Sequence, residues 1–129
     1  MYELVICAEF AAAHQIRLPD GSLEPLHGHN WRVEAILEGA RLDDTGIVAD
    51  FTGLHADLRR ITGELHNTHL NELAAFAPAC PTTERVARHI HGRFAATLPP
   101  TVKLRRVKVW ETADCAAAYV SDPTGRSPT

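Results

Sequence analysis

The chain has 129 residues, 45% of them hydrophobic and 22% charged, proportions that are typical of one compact domain. Lys and Arg total 13 against 16 Asp and Glu, a formal net charge of −3, so the sequence lacks the basic stripe of a nucleic-acid-binding protein. No apolar run approaches the roughly 20 residues that cross a membrane, and the three cysteines form no CxxC pair. We expect one domain over residues 1–122, a mobile tail at 123–129, and a cytoplasmic protein with reduced thiols.

The first part of the chain predicts two strands. Residues 2–14 are largely apolar and read as an extended, buried strand, whereas residues 15–28 are rich in turn formers and predict a loop. Apolar and polar side chains alternate over residues 29–39, which predicts a second strand with one packed face and one solvated face. A turn at 43–46 and a short extended stretch at 47–51 follow.

Two amphipathic helices are predicted next. Apolar residues recur at intervals of three and four over residues 51–65 and predict a helix of about four turns, capped by Asp50. Its apolar stripe comprises Phe51, Leu54, Leu58, Ile61 and Leu65. After a connecting segment at 66–81, a second helix is predicted with Thr82 or Thr83 as its N-cap. Its buried face comprises Val86, Ile90, Phe94 and Leu98.

Residues 102–120 return to a strand pattern with a break at Asp114. The predicted order is therefore β, β, α, α, β, β, an α+β fold in which two helices cover one face of an antiparallel sheet. A four-stranded sheet leaves its edges exposed, and such edges often pair with another subunit. We therefore expect an oligomer.

Histidines form a dense cluster early in the chain. His27 and His29 are two residues apart in extended backbone, so their imidazoles lie on one face of a strand, and an antiparallel return brings His14 alongside. Three neutral imidazoles suit zinc and leave a fourth position open, as in catalytic sites. The alternative is a set of half-exposed histidines on an edge strand. The histidines of the helices are expected on solvated surface: His55, His89 and His91.

Several motifs carry a resemblance to a known family. They are Phe10-Ala-Ala-Ala-His14, Leu26-His-Gly-His-Asn-Trp31, Gly46-Ile-Val-Ala-Asp-Phe51 followed by Leu54, Leu70-Asn71, Pro81-Thr-Thr-Glu84, and Trp110-Glu-Thr112 ending near Tyr119. The chain resembles the 6-pyruvoyl-tetrahydropterin synthase and 6-carboxytetrahydropterin synthase family over nearly its whole length. The resemblance implies a tunnelling fold of ββααββ order, hexamers of two trimers, and active sites at subunit boundaries.

The resemblance also implies a site. It makes His14, His27 and His29 the ligands of a catalytic zinc ion that acts on 7,8-dihydroneopterin triphosphate. Glu111 matches the position that holds the pterin, whose ring presents two adjacent N–H donors that a carboxylate accepts bidentately. Three basic residues of a later strand are candidates to meet the triphosphate, although a solvated sheet face fits them equally well: Lys103, Arg105 and Arg106.

The general base differs from the usual family pattern. Most members carry a cysteine four residues before His-Gly-His, and this position is Leu23 here. Glu24 lies three residues before His27 and gives Glu-x-x-His-Gly-His, similar to a variant subgroup in which glutamate replaces cysteine and the product is 6-hydroxymethyl-7,8-dihydropterin. A carboxylate can relay protons when burial raises its pKa. The alternative for Glu24 is an exposed loop carboxylate.

The family's Asp-His pair is also replaced. Its aligned residues, five and four positions before Asn71, are His66 and Asn67. His66 is a candidate proton carrier because imidazole titrates near neutrality, and His69 is a second candidate if the loop is shifted. Alternatively, His66 only closes the first helix.

Three functions remain after this comparison. The leading one is a zinc-dependent lyase acting on dihydroneopterin triphosphate or a close relative, with glutamate in place of the thiol. The second is 6-carboxytetrahydropterin synthesis for deazapurine pathways, which the missing cysteine disfavours. The third, of another class, is a zinc- and pterin-binding protein without turnover.

Overall fold

A five-stranded sheet with two helices on one face makes up the fold. The computed structural model describes residues 1–122, and the predicted mobile tail, residues 123–129, lies outside the described residues. The elements are β1 (Tyr2–His14), β2 (His27–Gly39), α1 (Phe51–Leu65), β3 (Thr68–His69), α2 (Thr83–Ala95), β4 (Lys103–Trp110) and β5 (Ala116–Val120). Their order across the sheet is β3-β1-β2-β4-β5. Within residues 1–122, no helix is long and apolar enough to cross a membrane.

The two long strands set the register of the sheet. β1 and β2 pair antiparallel along their whole lengths, with Tyr2 opposite Gly39 and His14 opposite His27. The predicted α+β class is confirmed, and the long elements follow the predicted order β, β, α, α, β, β. The sheet has five strands rather than four, because the two-residue β3 lies between the helices in the chain. The sheet is mixed rather than purely antiparallel, because the two residues of β3 pair parallel to β1.

The hydrophobic core lies between the sheet and the helices. Even-numbered residues of β1 and odd-numbered residues of β2 point into it. The alternation predicts this single packed face for β2, whereas β1 was expected to be largely buried and instead has an odd-numbered face that is exposed or partly exposed. The largest fully buried side chains include Trp31, Leu58 and Phe94. His14, His27 and His29 share this parity, so the register directs all three imidazoles to the helix side of the sheet at one end of the first two strands.

The helix caps follow the sequence closely. Asp50 accepts a hydrogen bond from the backbone amide of Thr52 at 2.9 Å, and Thr82, rather than Thr83, caps α2. Two members of the predicted apolar faces are wrong. Phe51 is 59% exposed because it occupies the first position of α1 and borders surface grooves instead of the core. Leu98 lies beyond the end of α2, where it is partly buried against the core.

Two connecting segments differ from the prediction. Residues 47–50 are irregular, with bends at Val48 and Ala49, rather than an extended stretch. Residues 66–81 contain β3 and a 3₁₀ helix, Leu70–Glu72, in addition to irregular structure. A two-residue strand and a three-residue helix are too short to show a hydrophobic period, so periodicity could not find them.

Two helix histidines are half-buried, although solvated surface was expected. His91 stacks edge-on against Tyr119 with ring centroids 4.7 Å apart, and His89 packs similarly against Phe76 at 5.2 Å. Burial lowers the pKa of both imidazoles. His55 is exposed, as predicted.

Candidate metal centre and active site

Three imidazoles and one carboxylate converge where β1 ends and β2 begins. The potential ligand atoms of His14, His27, His29 and Glu111 all lie within 4.8 Å of one another. The three ring centroids are 4.7 to 5.2 Å apart. Glu111 directly follows β4, the strand next to β2, and approaches the histidines from there. The structure thus brings together the three histidines that sequence spacing singled out.

Backbone carbonyls orient two of the rings. Nδ1 of His14 is 2.9 Å from the carbonyl oxygen of Pro81, and Nδ1 of His27 is 2.9 Å from that of Pro25. A carbonyl oxygen only accepts, so each Nδ1 carries the hydrogen and donates it. The lone pair of each neutral ring is therefore on Nε2, which leaves Nε2 of both rings free to coordinate a metal ion. This is the usual arrangement by which an outer partner fixes the tautomer of a metal-binding histidine.

The carboxylate of Glu111 faces two ring nitrogens that have no hydrogen-bond partner. Its Oε1 is 3.0 Å from Nε2 of His14 and 3.4 Å from Nε2 of His29. Both Nε2 atoms are buried without a hydrogen bond among the described residues. In the neutral His14 ring the lone pair is on Nε2, close to a carboxylate oxygen that cannot donate to it, and a cation bound to both atoms would relieve this unfavourable contact. The donor set of this structure therefore fits a metal ion such as zinc.

Electrostatics also favour the coordinating form of His29. Desolvation lowers the pKa of His29, and the negative charge of Glu111 opposes that effect. The lowered pKa favours the neutral imidazole, which is the form that binds metals.

Trp31 packs against two histidines of the cluster from the core side. Its indole is fully buried and contacts His14 and His29 edge-on, with centroid distances of 4.9 and 5.3 Å. Its Nε1 donates to the carbonyl of Ala12 at 3.1 Å, which fixes the ring. Sequence reasoning assigned Trp31 only to the packed face, although its position two residues after His29 places it on the same side of the strand.

The loop before β2 holds Glu24 next to this cluster. The backbone amide of Ile16 donates to Oε1 of Glu24 at 3.1 Å. The side-chain Nε2 of Gln15 donates to the backbone carbonyl of Glu24 at 3.0 Å. The same Oε1 lies 3.7 Å from Nε2 of His27. Glu24 is thus a positioned carboxylate with 23% of its side chain exposed, rather than a free loop residue.

Asn71 fixes the backbone from which Gln15 extends. Its Oδ1 accepts from the amide of Gln15 at 3.0 Å, and its Nδ2 donates to the carbonyl of Gln15 at 2.8 Å. The 3₁₀ helix thereby joins the end of β1 to the loop that carries Glu24. Sequence reasoning quoted Asn71 as part of a motif and assigned it no role.

His66 and His69 are outside the four-residue group. Nδ1 of His66 accepts from the amide of Ala11 at 3.0 Å, and Asn67, in the left-handed region with φ of 57°, donates its amide to the carbonyl of Ala11 at 2.6 Å. His66 is exposed. Nδ1 of His69 is buried without a hydrogen bond among residues 1–122. Asn67 borders a cleft beside His29, so this segment flanks the cluster without joining it.

The basic residues of β4 take part in local contacts. Nε of Arg105 is 3.8 Å from a carboxylate oxygen of Glu38, and its backbone carbonyl accepts from the hydroxyl of Ser121 at 3.1 Å. Lys103 and Arg106 are exposed. The solvated-face alternative therefore describes these three residues within a single chain.

Comparison with known sequences identifies relatives over most of the chain. The sequence model of the 6-pyruvoyl tetrahydropterin synthase family matches residues 3–122. A dihydroneopterin monophosphate aldolase from Pyrococcus furiosus is 34% identical over 108 residues, covering 84% of this chain and 88% of the relative. A 6-carboxy-5,6,7,8-tetrahydropterin synthase from Synechocystis is 33% identical over 117 residues, covering 87% and 88%.

Solved structures share the fold. The 6-pyruvoyl tetrahydropterin synthase of Caenorhabditis elegans superimposes with a TM-score of 0.79 at 20% identity, covering 94% of this chain and 96% of the other. A Plasmodium vivax 6-pyruvoyltetrahydropterin synthase with a substituted catalytic glutamate gives 0.77 at 19% identity, covering 92% and 96%. The predicted tunnelling fold is thus confirmed. From the match over residues 3–122 and these relatives, we conclude that the chain belongs to the 6-pyruvoyl tetrahydropterin synthase family of pterin-processing enzymes.

Proposed function

We propose that the protein is a zinc-dependent lyase that cleaves the side chain of 7,8-dihydroneopterin triphosphate, or of the corresponding monophosphate, to give 6-hydroxymethyl-7,8-dihydropterin. The observation that carries this proposal is the position of Glu24, whose Oε1 lies 3.7 Å from Nε2 of His27 at the edge of the metal centre. The loop thus supplies a carboxylate close to where the usual family pattern has a cysteine. The Pyrococcus furiosus relative, a dihydroneopterin monophosphate aldolase, supports the same class of reaction.

His14, His27 and His29 would hold the zinc ion. When bound, zinc supplies positive charge that stabilises negative charge developing on the oxygens of the substrate side chain. The carbonyls of Pro81 and Pro25 keep Nδ1 of His14 and His27 protonated, so both rings present Nε2 to the site.

Glu111 anchors the pterin in this proposal. Its two carboxylate oxygens accept from the 2-amino group and the neighbouring ring N–H, which fixes the ring and aims its side chain at the histidines. Its backbone position, fixed by the hydrogen bond from its amide to the carbonyl of Cys115 at 3.0 Å, places that anchor at the rim of the centre.

Glu24 acts as the general base. It takes the proton from the side-chain hydroxyl next to the bond that breaks. The carbon–carbon bond then cleaves, a phosphorylated two-carbon aldehyde leaves, and a proton returns to the carbon that remains on the pterin. The hydrogen bond from the Ile16 amide keeps the carboxylate oriented towards the substrate throughout.

His66 carries a proton in the same cycle. In the neutral ring Nδ1 accepts from the amide of Ala11 and Nε2 carries the hydrogen. The ring therefore takes up a proton at Nδ1, which releases the amide of Ala11, and the resulting imidazolium gives up the proton on Nε2. His66 lies outside its own chain's cluster, so we propose that it serves a site completed across a subunit boundary in a hexamer of two trimers. His69 is the alternative residue for this role.

The reaction and the alternatives are separated by one experiment. Purified zinc protein is incubated with the triphosphate and, separately, the monophosphate of dihydroneopterin, and the products are identified by mass. Release of 6-hydroxymethyl-7,8-dihydropterin supports the lyase. Formation of 6-carboxy-5,6,7,8-tetrahydropterin favours the alternative function of a 6-carboxytetrahydropterin synthase, which is the name of the Synechocystis relative. Tight binding of unchanged substrate favours a protein that binds zinc and pterin without turnover.

The remaining parts of the proposal have separate tests. Zinc should be found at one ion per chain and be lost in His27→Ala. The mass of the assembly, measured by light scattering, should be six times that of the chain. A cytoplasmic location is consistent with the free thiols of Cys7, Cys80 and Cys115.

A further inference from the structure

We propose that Glu111 occupies two positions in turn: in the free protein it is the fourth ligand of the metal ion held by His14, His27 and His29, and it leaves the metal when it takes the pterin. This inference rests on the proposed zinc and pterin sites. It gives them a feature that neither site has alone, because the residue that recognises the substrate ring also controls access to the metal.

Two of the three distances from Glu111 to the imidazoles are close to the edges of a coordination tetrahedron, and the third, to His27, lies within 4.8 Å. Zinc ligands at about 2.0–2.1 Å in tetrahedral geometry are separated from one another by about 3.3 Å. Oε1 of Glu111 is 3.0 Å from Nε2 of His14 and 3.4 Å from Nε2 of His29. The carboxylate oxygen thus lies on the side of His14 and His29 where a fourth ligand would bind, and a small shift towards His27 would complete the set at the position that the sequence left open for water or substrate.

The chemistry of the contact gives the same answer. Nε2 of His14 bears a lone pair when Nδ1 donates to Pro81, and the ring is only 1% exposed. A carboxylate oxygen at 3.0 Å from that lone pair is repelled unless a cation lies between the two atoms. A metal ion bound to both atoms converts this repulsion into two coordinate bonds.

Glu111 is free to move away from the metal. Within residues 1–122, its carboxylate contacts His14 and His29 and accepts no hydrogen bond that would hold it in place. Its backbone is anchored in the turn after β4, where its amide donates to the carbonyl of Cys115. With 28% of the side chain exposed, a change of rotamer moves the carboxylate without moving the strand.

The pterin and the metal compete for the same lone pairs of Glu111. Each carboxylate oxygen has two lone pairs, and side-by-side N–H donors of the pterin ring take the inner lone pair of both oxygens, so we expect pterin binding to turn the carboxylate away from the metal. The coordination position then opens only when a ring with two adjacent N–H donors is present. The ligand class that opens the centre is therefore a pterin or a purine-like ring with the same donor pair, independent of its side chain.

Cobalt substitution tests this proposal without turnover. The metal-free protein is loaded with Co²⁺, and its visible spectrum is recorded before and after addition of 6-methylpterin, which has the ring donors and lacks side-chain hydroxyls. We expect 6-methylpterin to change the Co²⁺ spectrum of the wild type. In Glu111→Gln we expect an altered starting spectrum, at least about tenfold weaker metal binding, and no response to 6-methylpterin.

A matched control comes from the same turn. Asp114 is an exposed carboxylate three residues away, and Asp114→Asn should leave the Co²⁺ spectrum, the metal affinity and the response unchanged. Circular dichroism confirms that each variant is folded. If folded Glu111→Gln binds Co²⁺ with the affinity and spectrum of the wild type, the fourth-ligand proposal is overturned while the three-histidine zinc site stands. If the wild type binds no Co²⁺, the zinc-dependent function fails as well.

Discussion

The carboxylate of Glu24 lies beside the imidazole of His27, with Oε1 3.7 Å from Nε2, and the backbone amide of Ile16 holds that oxygen in place. A residue three positions before the His-Gly-His sequence thereby lies beside the histidine cluster. This relationship makes the carboxylate testable on its own.

Glu24→Gln should separate proton transfer from local structure. The glutamine side chain keeps an oxygen that accepts from the amide of Ile16 but cannot act as a base. We therefore expect kcat to fall by about 10²- to 10⁴-fold with the zinc content unchanged. Product mass and metal analysis measure the two quantities. Glu3→Gln, at the far exposed end of β1, is the control and should keep full activity. An unchanged rate in Glu24→Gln would remove Glu24 from the mechanism.

Two substitutions of His66 separate its hydrogen bond to Ala11 from its proposed proton transfer. In His66→Asn, Oδ1 takes the place of Nδ1 and still accepts from the amide of Ala11, whereas the outer nitrogen is lost. We expect His66→Asn to fold with near wild-type stability and to lose about 10²- to 10⁴-fold in kcat. His66→Phe should lose stability as well. Full activity of folded His66→Asn in a product assay would show that His66 has only a structural role, ending α1 and accepting the amide of Ala11.

Asn71 should act on catalysis through Glu24. Asn71→Leu removes both hydrogen bonds to the backbone of Gln15 and frees the loop that Gln15 holds. A loss of about 10- to 100-fold in kcat is expected, as for other residues that orient a site from behind. A double-mutant cycle measures the coupling: in Glu24→Gln, adding Asn71→Leu should cost nothing further in kcat. Independent, multiplying losses would contradict the positioning role.

Stability should fall as the pH drops below the usual range of histidine. Burial lowers the pKa of His91, so below about pH 6.5 the unfolded chain binds a proton that the folded chain does not. Stability from His91 is therefore complete above the unfolded pKa and is lost as the pH falls towards the lower, folded pKa.

Urea unfolding of the metal-free protein tests the role of His91. Between about pH 7.5 and pH 5.5 the free energy of unfolding should fall more in the wild type than in His91→Gln, where the titrating group is gone. Chelation removes the contribution of metal release from both proteins. Equal losses in the two proteins would assign the pH dependence to other groups, of which His89 is the first candidate.

Local sequence signals predicted the parts of the fold that repeat. The largely apolar run over residues 2–14 matches the bounds of β1, and the caps at Asp50 and Thr82 follow from side chains that accept backbone amides. The parity of His14, His27 and His29 along two strands was enough to bring three imidazoles together. These features are decided within one or two neighbouring elements.

The remaining features depend on contacts between distant segments. Three of these contacts join residues more than fifty positions apart. They are the parallel pairing of β3 with β1, the hydrogen bonds between Asn71 and Gln15, and the approach of Glu111 to His14. The burial of His91 against Tyr119 depends on where α2 crosses the sheet, which a helical repeat does not specify. Sequence alone therefore identified the three histidines that converge better than the residues that hold them in place.

The carbonyl of Pro81 accepts from His14, and the next residue, Thr82, caps α2. The start of a helix and the orientation of the His14 imidazole are thus fixed by two consecutive residues. An insertion or deletion between positions 73 and 80 would shift that carbonyl and turn the ring of His14. Among sequences that retain this centre, length changes will therefore gather in self-contained turns such as residues 43–46, which Asp43 and the positive φ of Gly46 close without reference to the rest of the molecule.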